Sequence, residues 1–375
     1  MPISPLKIDG VVQMITKICT LTSEGVLELT KQLLFDKQVV AIPTETVYGL
    51  AAKLYPEALA KIFAVKQRPH DNPLIVHIYN TSELNDLVLE ITNVQKSLMD
   101  KFWPGPLTIL FRVKDSVPKI VTAGLDTIAI RCPAHPITRE ILKHCGALAA
   151  PSANTSGKPS PTSSHHVYTD LNGKIPLIID GGPCSVGVES TVCNPISDPP
   201  LLLRPGFISL HELHQVKGME NCVAKFQGKV ATSPGMKYKH YEPSVPVCLV
   251  ISNSVDFSVL KFLKEPFAIM RDASLPISDT QLSFQSIKGD LGVAQPFSPK
   301  FQQTDSHSYL NDPIVGNVDI TIADMRLNLF EFLRILDGEN GFPKKASIVA
   351  FLNIKDNEDV YNRLSKAASY ILKEV

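Results

Sequence analysis

Residues 39–50 read V-V-A-I-P-T-E-T-V-Y-G-L and join a short apolar run to a group of hydroxyl-bearing side chains. The apolar run 39–42 is typical of a buried β-strand. Thr44 and Thr46 follow this run after Pro43. Their hydroxyls therefore lie near the carboxyl end of a strand, where open α/β sheets bind ligands. The alternative is that one threonine caps a following helix. The stretch predicts a sheet strand with candidate ligand groups at its end.

Apolar runs of the same kind recur between about residues 22 and 210, with helical stretches between several of them. The helical stretch 57–65 must end before Pro69, because the residue that precedes a proline is pushed out of the helical region. Further strand-like runs are residues 74–78, 108–113, 127–130 and 177–179. This alternation predicts an α/β domain over residues 15–212.

The pattern loosens after residue 212, and residues 213–246 are predicted to be an interdomain linker. Its segment 233–243 is rich in aromatic and cationic residues, whereas flexible tethers favour small polar ones, so we expect it to dock over a bound nucleotide. The alternative is that its aromatic side chains pack the two domains together. A second, smaller α/β domain is predicted for residues 247–375. Its expected elements are strands at 247–252 and 346–352, helices at 327–336 and 359–372, and a polar surface excursion near 275–307.

The overall composition favours a small polar ligand. The chain has 375 residues, which suggests two domains, and its 37 Lys+Arg balance 37 Asp+Glu. Zero net charge counts against a protein that grips nucleic acid mainly by neutralising phosphates. No apolar run approaches the roughly 20 residues that span a bilayer, so no membrane association is predicted.

The seven cysteines are odd in number and form no C-x-x-C pair, which indicates reduced thiols rather than a metal or disulfide framework. The first 20 residues lack a signal-peptide pattern. We therefore expect a cytoplasmic protein. Lys7 and Lys17, with Ser and Thr nearby, leave a mitochondrial pool open as well.

Common nucleotide signatures are missing from the sequence. Each Gly-Lys pair is followed by Pro, Ile or Val rather than Ser or Thr, and no G-x-G-x-x-G occurs. A cation pair lies instead in K-Q-R-P-H-D-N-P at residues 66–73. If this segment is extended, Lys66 and Arg68 share one face and suit a polyphosphate. The alternative is a solvated helix end, where cations complement the helix dipole.

A second cluster, A-P-S-A-N-T-S-G-K-P-S-P-T at residues 150–162, is dense in hydroxyls and amides. Ser152 and Asn154 could donate to phosphate or sugar oxygens without adding charge. An ordinary polar turn is the alternative. Arg131 closes the strand 127–130 and needs an anionic partner if it is buried, either a substrate carboxylate or a structural Asp or Glu. No nucleophile with a His base and an orienting acid is evident, so covalent catalysis is not indicated.

Taken together, these motifs resemble the YrdC-like domain of threonylcarbamoyl-AMP synthases. The resemblance rests on P-T-E-T-V-Y-G-L, the K-x-R of Lys66 and Arg68, D-N-P-L-I-V-H, W-P-G-P-L-T, the S-x-N of Ser152 and Asn154, E-S-T-V and L-R-P-G, in this order. It continues through P-G-M-K-Y-K-H-Y, which is similar to the linker of the two-domain members. It then extends into N-R-L-S-K-A-A at residues 362–368, which is similar to a helix of their C-terminal domain. Ala51 and Glu242 depart from the family pattern, which often has Gly and Ala there.

The resemblance implies a twisted, mixed α/β sheet around a concave basic cavity, joined to a small doubly wound α/β domain. It implies that L-threonine, bicarbonate and ATP, with Mg²⁺, give threonylcarbamoyl-adenylate and pyrophosphate, and that a tRNA threonylcarbamoyl transferase complex takes up the product. Direct tRNA binding by this chain stays open. The alternatives are an enzyme that handles carbamoyl-adenylate and an RNA-binding module.

The resemblance also assigns site residues, none of them metal ligands. Those implied for ATP are Lys66, Arg68, Asn72, Thr127, Asn154, Thr162, Arg204, His240 and Tyr241. Those implied for threonine are Thr44, Thr46, His77, Arg131, Ser152 and Ser190. Catalysis is assigned to Lys66, Arg68, Ser152 and Asn154, acting by orientation and neutralisation of charge.

Overall fold

A computed structural model describes residues 6–8, 11–225, 247–251, 267–272, 314–320, 329–330, 333–334, 347–352, 358–368 and 370–373. The chain divides into two compact units, residues 1–240 and 241–375. The docking segment 233–243, with His240 and Tyr241, lies outside the described residues, as does the predicted excursion 275–307. Every helix in the described ranges is too short or too polar to cross a lipid bilayer.

The first unit alternates strands and helices, as the apolar runs predict. Its strands are β1 Leu6–Ile8, β2 Val11–Gln13, β3 Lys17–Thr20, β4 Val40–Ile42, β5 Gly49–Lys53, β6 Ile75–His77, β7 Leu107–Arg112, β8 Thr127–Arg131, β9 Leu148–Ala149, β10 Leu177–Asp180, β11 Thr191–Asn194, β12 Leu201–Arg204 and β13 Val223–Ala224. Its helices are α1 Val26–Phe35, α2 Pro56–Lys66, α3 Leu84–Leu87, α4 Asn93–Phe102, α5 Lys119–Thr122, α6 Pro136–Cys145, α7 Ser164–Leu171 and α8 Leu210–His214.

Eleven of these strands form one mixed sheet in the order β13-β12-β11-β7-β8-β6-β9-β5-β4-β10-β3. β6 and β8 run parallel, whereas β4 and β5 are antiparallel. The α/β class with a large mixed sheet is therefore confirmed. The segment after β4 turns back into β5, so the alternative that Thr44 or Thr46 caps a following helix is wrong.

Helices cover both faces of this sheet. Ile178 packs into a core with α2, while its neighbours Leu177 and Ile179 pack into a second core with α1 and α6. Alternate side chains of a strand point to opposite faces, so a strand covered on both sides is apolar throughout. This explains why the strands appear in the sequence as continuous apolar runs and why polar residues gather at the strand ends.

The second unit contains a five-stranded parallel sheet in the order β16-β15-β17-β14-β18. Its elements are β14 Val247–Ile251, β15 Phe267–Asp272, β16 Ile314–Ile320, β17 Ser347–Leu352, α9 Glu358–Ala367 and β18 Tyr370–Lys373. Val360, Leu364 and Ala367 form the buried stripe of α9. The predicted helix over 359–372 is too long, because Tyr370, Ile371 and Leu372 belong to β18, in keeping with the β-preference of aromatic and branched residues.

Candidate active site

Strand ends and loops bring six of the fifteen predicted site residues into two groups. We call Glu45, Thr46, His77 and Arg131 the arginine cluster, and Lys66, Ser152 and Asn154 the lysine cluster. The start of β5 connects the two groups. Gly49 bridges to Ser152, and a Cβ at Gly49 would lie only 3.2 Å from the Cβ of Ala150, so a residue without a side chain suits this close approach.

The arginine cluster is centred on Arg131, which is 3% exposed. Arg131 ends β8 beside His77, which ends β6, because the two are paired in the parallel register. Arg131 Nη1 donates to Thr46 Oγ1 at 2.7 Å and Nε donates to the Gly105 carbonyl at 3.2 Å. Arg131 Nη2 forms an ion pair with Glu45 Oε1 at 2.6 Å. Of the two anionic partners that the sequence left open, the structure therefore contains the structural acid.

Thr44 orders the turn that carries this acid. Thr44 Oγ1 donates to the Val47 carbonyl at 2.6 Å and lies 2.9 Å from Thr46 Oγ1. It also accepts the backbone N–H groups of Thr46 and Val47. Such a hydroxyl closes a tight turn of its own. Thr44 thus supports Thr46, which in turn contacts Arg131.

Burial and charge set the protonation of this cluster. Burial alone would raise the pKa of Glu45, but the charge and hydrogen bond of Arg131 outweigh it and hold that pKa below its usual value. For His77, burial first and then the nearby Arg131 charge lower the pKa from 6.5 to about 3. His77 is therefore neutral in the folded protein at physiological pH.

Three buried side-chain atoms of the arginine cluster have no hydrogen-bond partner within the described part of the chain: Glu45 Oε2, His77 Nδ1 and Arg131 Nη2, whose contact with Glu45 Oε1 is an ion pair. Asn72 Oδ1, close to Arg68 in sequence, is a fourth such atom. Buried polar atoms are nearly always hydrogen-bonded in native proteins. Unsatisfied atoms around one buried guanidinium are therefore typical of a place where a polar ligand or water binds.

The low pKa of His77 predicts a pH-dependent stability. The unfolded chain binds a proton on this residue below pH 6.5, whereas the folded chain does so only near pH 3, so stability falls as the pH drops below 6.5. For one group this amounts to about 2 kcal/mol between pH 7.5 and 5. The substitution His77→Gln should remove this part of the decrease in the free energy of unfolding, as measured by urea unfolding at the two pH values. An unchanged difference between the two pH values would contradict the assignment.

The lysine cluster forms where α2 ends. Gln67 adopts a left-handed conformation with φ 53°, so the chain turns after Lys66 instead of continuing extended as the shared-face argument assumed. Lys66 is 1% exposed, and its Nζ donates to the Ser152 carbonyl, to the Asn154 carbonyl at 2.5 Å and to Asn154 Oδ1 at 3.4 Å. The solvated helix end offered as an alternative is excluded by this burial.

Arg68 lies beyond the turn and is 9% exposed. Its Nε donates to the Asn72 carbonyl at 3.2 Å and its Nη2 donates to the Pro73 carbonyl at 2.8 Å. Arg68 thus shapes the 68–73 loop, from which β6 and His77 follow. Lys66 and Arg68 consequently contact different loops in the described structure.

A third group connects Arg204 to the strand beside Arg131. Arg204 Nη2 donates to Ser190 Oγ at 3.0 Å, and Ser190 Oγ lies 2.7 Å from Thr108 Oγ1. Thr108 is in turn paired with Arg131 in the antiparallel register of β7 and β8. A Cβ at Gly206 would lie 2.4 Å from the Thr191 nitrogen, so the glycine of L-R-P-G permits this packing.

The remaining described residues among those predicted, Thr127 and Thr162, lie outside the groups above. Thr127 begins β8, the strand that Arg131 ends, so the two lie roughly 13 Å apart along the strand. The Thr162 amide donates to His166 Nδ1 at 3.2 Å, on α7. Sequence reasoning missed Glu45 as the partner of Arg131, although the need of a buried Arg for an anion was the available signal.

Two family models match the chain. The model described as "Telomere recombination" matches residues 32–206, and the model described as "Threonylcarbamoyl-AMP synthase, C-terminal domain" matches residues 208–369. A threonylcarbamoyl-AMP synthase of Pyrococcus abyssi is 46% identical over 241 residues, covering 61% of this chain and 71% of the relative. One of Bacillus subtilis is also 46% identical, over 61% of this chain and 67% of the relative.

A solved structure is similar over nearly the whole chain. It is the crystal structure of Pyrococcus abyssi Sua5 complexed with L-threonine, and it aligns with a TM-score of 0.78 at 34% identity. The alignment covers 96% of this chain and all of that one.

Proposed function

The chain belongs to the two-domain threonylcarbamoyl-AMP synthases, and from this premise we propose how its two clusters share the reaction. The enzyme joins L-threonine, bicarbonate and ATP into threonylcarbamoyl-adenylate and pyrophosphate for a tRNA modification. The division of labour is our proposal: the arginine cluster, together with Ser152, binds threonine. Lys66 and Asn154 of the lysine cluster, with Arg68, Asn72 and Arg204, bind the nucleotide.

The observation that carries the threonine assignment is the buried Arg131 with unsatisfied polar atoms around it. A guanidinium has five N–H donors, of which Thr46, Gly105 and Glu45 engage three. The two others suit the substrate carboxylate. Neutral His77, with Thr44, Thr46, Ser152 and Ser190, offers uncharged partners for the substrate's hydroxyl and amino groups.

The nucleotide assignment rests on a second set of buried polar groups. Lys66 supplies a point charge, and Asn154 supplies amide groups next to it. Thr127 and Thr162 belong to neither cluster and are proposed as further contacts of ATP. His240 and Tyr241 lie outside the described residues, so their role over the nucleotide stays a prediction.

In the proposed sequence, the threonine amine attacks the carbon of bicarbonate and a carbamate forms with loss of water. A carbamate oxygen then attacks the α-phosphorus of ATP in line, the bond to the bridging oxygen of the β-phosphate breaks, and pyrophosphate leaves. Lys66 and Arg68 would neutralise the charge that develops on the phosphate oxygens. Orientation of the two substrates supplies the rest of the rate enhancement.

We propose that Mg²⁺ enters together with ATP. This ion is usually held by phosphates, waters and one or two carboxylates rather than by a dedicated protein cage. We further propose that the product passes to a tRNA threonylcarbamoyl transferase complex. A cytoplasmic location is supported by the free thiols of all six cysteines whose side chains the structure describes.

The test is product formation by the purified full chain. We expect a labelled adenylate and pyrophosphate when ATP and labelled bicarbonate are supplied with threonine, and far less with other amino acids. Product with carbamoyl phosphate but not with threonine would instead indicate a carbamoyl-adenylate enzyme. Absence of any adenylate, combined with RNA binding, would contradict the enzymatic proposal.

A further inference from the structure

Helix α7 supports the loop that contains the lysine cluster, and no motif of the sequence pointed to it. His166 and Asp170 are 2% and 4% exposed and four residues apart, so they share one face of the helix. His166 Nδ1 accepts the amide of Thr162, near the end of the loop. Asp170 contacts the middle of the same loop.

Both carboxylate oxygens of Asp170 are engaged. Oδ1 lies 3.0 Å from Lys158 Nζ, and Oδ2 accepts the Thr155 amide at 3.3 Å. The Asp170 side chain is fully buried, whereas that of Lys158 is 46% exposed. A buried carboxylate that bonds a backbone amide and a lysine fixes the loop at two points three residues apart.

The two residues that Asp170 contacts, Thr155 and Lys158, are also hydrogen-bond partners of Asn154. Asn154 Nδ2 donates to the carbonyls of Thr155 and Lys158, both at 2.9 Å. The Ser156 amide donates to the Lys66 carbonyl at 2.8 Å, while Lys66 Nζ donates back to the Asn154 carbonyl. The conformation of residues 154–158 therefore determines where Asn154 and Lys66 lie.

We infer that Asp170 is a positioning residue for the nucleotide half of the active site. It acts through the 154–158 loop and touches no substrate. The inference rests on the nucleotide assignment proposed above. Because a misplacement of about 1 Å can cost on the order of 100-fold in rate, a small shift of this loop is sufficient to disturb ATP binding or reaction.

The substitution Asp170→Asn tests this. An asparagine has the same shape, but its amide nitrogen must face either the Thr155 amide or the Lys158 ammonium, donor against donor. We expect the KM for ATP to rise about tenfold or more, with the KM for threonine changed less than about twofold. The substitution Lys158→Met removes only the ion pair and should have a smaller effect in the same direction.

Hydrogen exchange gives an independent reading. The Ser156 amide, which bonds to Lys66, should exchange faster in the Asp170→Asn variant than in the wild type. The matched control is Glu212→Gln, which removes the capping carboxylate of α8. That variant should melt at a slightly lower temperature with both KM values unchanged.

The outcomes are distinguishable. A wild-type enzyme that forms no adenylate would overturn the proposed function itself. A wild type that forms adenylate, together with an Asp170→Asn variant whose two KM values rise equally or not at all, would overturn the positioning role alone. A selective rise in the KM for ATP with faster exchange at Ser156 supports it.

Discussion

Replacing Lys66 with methionine is expected to lower the rate of threonylcarbamoyl-adenylate formation by about 100-fold or more, since one preorganised donor at a developing charge is typically worth that much. Methionine keeps the bulk of the buried chain but loses the ammonium that contacts Ser152 and Asn154. The variant should have a lower maximal rate and a higher KM for ATP, with only a small change in the KM for threonine. Pyrophosphate release under saturating substrates measures it.

Lys53→Met is the matched control for this variant. Lys53 Nζ also donates to a backbone carbonyl, that of Cys145, at 2.5 Å, but it lies at the end of β5 opposite to Gly49. The same substitution there should leave the rate within about twofold of wild type, as is usual away from special features. If Lys66→Met retained near-normal turnover, the lysine cluster would be a structural brace and the nucleotide assignment would be wrong.

Five of the thirteen strands of the first unit could be predicted from the sequence because they are buried on both faces. Apolar runs at β4, β6, β7, β8 and β10 therefore identified strands to within one or two residues. Strand β5 was missed, because G-L-A-A-K has few β-branched residues and follows a turn that resembles a helix start. Local composition cannot reveal that a strand turns back on its neighbour.

The contacts within the site were less predictable than the motifs that contain them. Glu45 and Thr46 are adjacent to one another but 86 and 85 positions from Arg131, and only the register of β6 and β8 brings His77 beside that arginine. Strand order depends on crossovers and packing, which a single sequence does not encode locally. The role of Asp170 could not be predicted for the same reason, because its sequence neighbours are those of an ordinary surface helix.

The substitution Arg131→Lys should raise the KM for threonine about 100-fold, equivalent to about 3 kcal/mol, while the KM for ATP changes less than about threefold. A lysine can place one point charge, but it cannot hold Thr46, the Gly105 carbonyl and Glu45 while offering a fork to a substrate carboxylate. Threonine binding by calorimetry, together with the two KM values, measures the effect on a variant shown by its melting curve to be folded.

Arg139→Lys is the control that separates this role from general packing. Arg139 Nη1 donates to the Tyr79 carbonyl at 3.2 Å and its guanidinium lies 4.7 Å from the Tyr79 ring, so it has comparable contacts outside the arginine cluster. Its conservative replacement should leave both KM values unchanged. Equal losses for threonine and ATP in Arg131→Lys would show that Arg131 serves only to hold Glu45 and its turn. A selective rise in the KM for threonine would mean that the guanidinium binds the substrate's carboxylate, even though Glu45 already neutralises part of its charge.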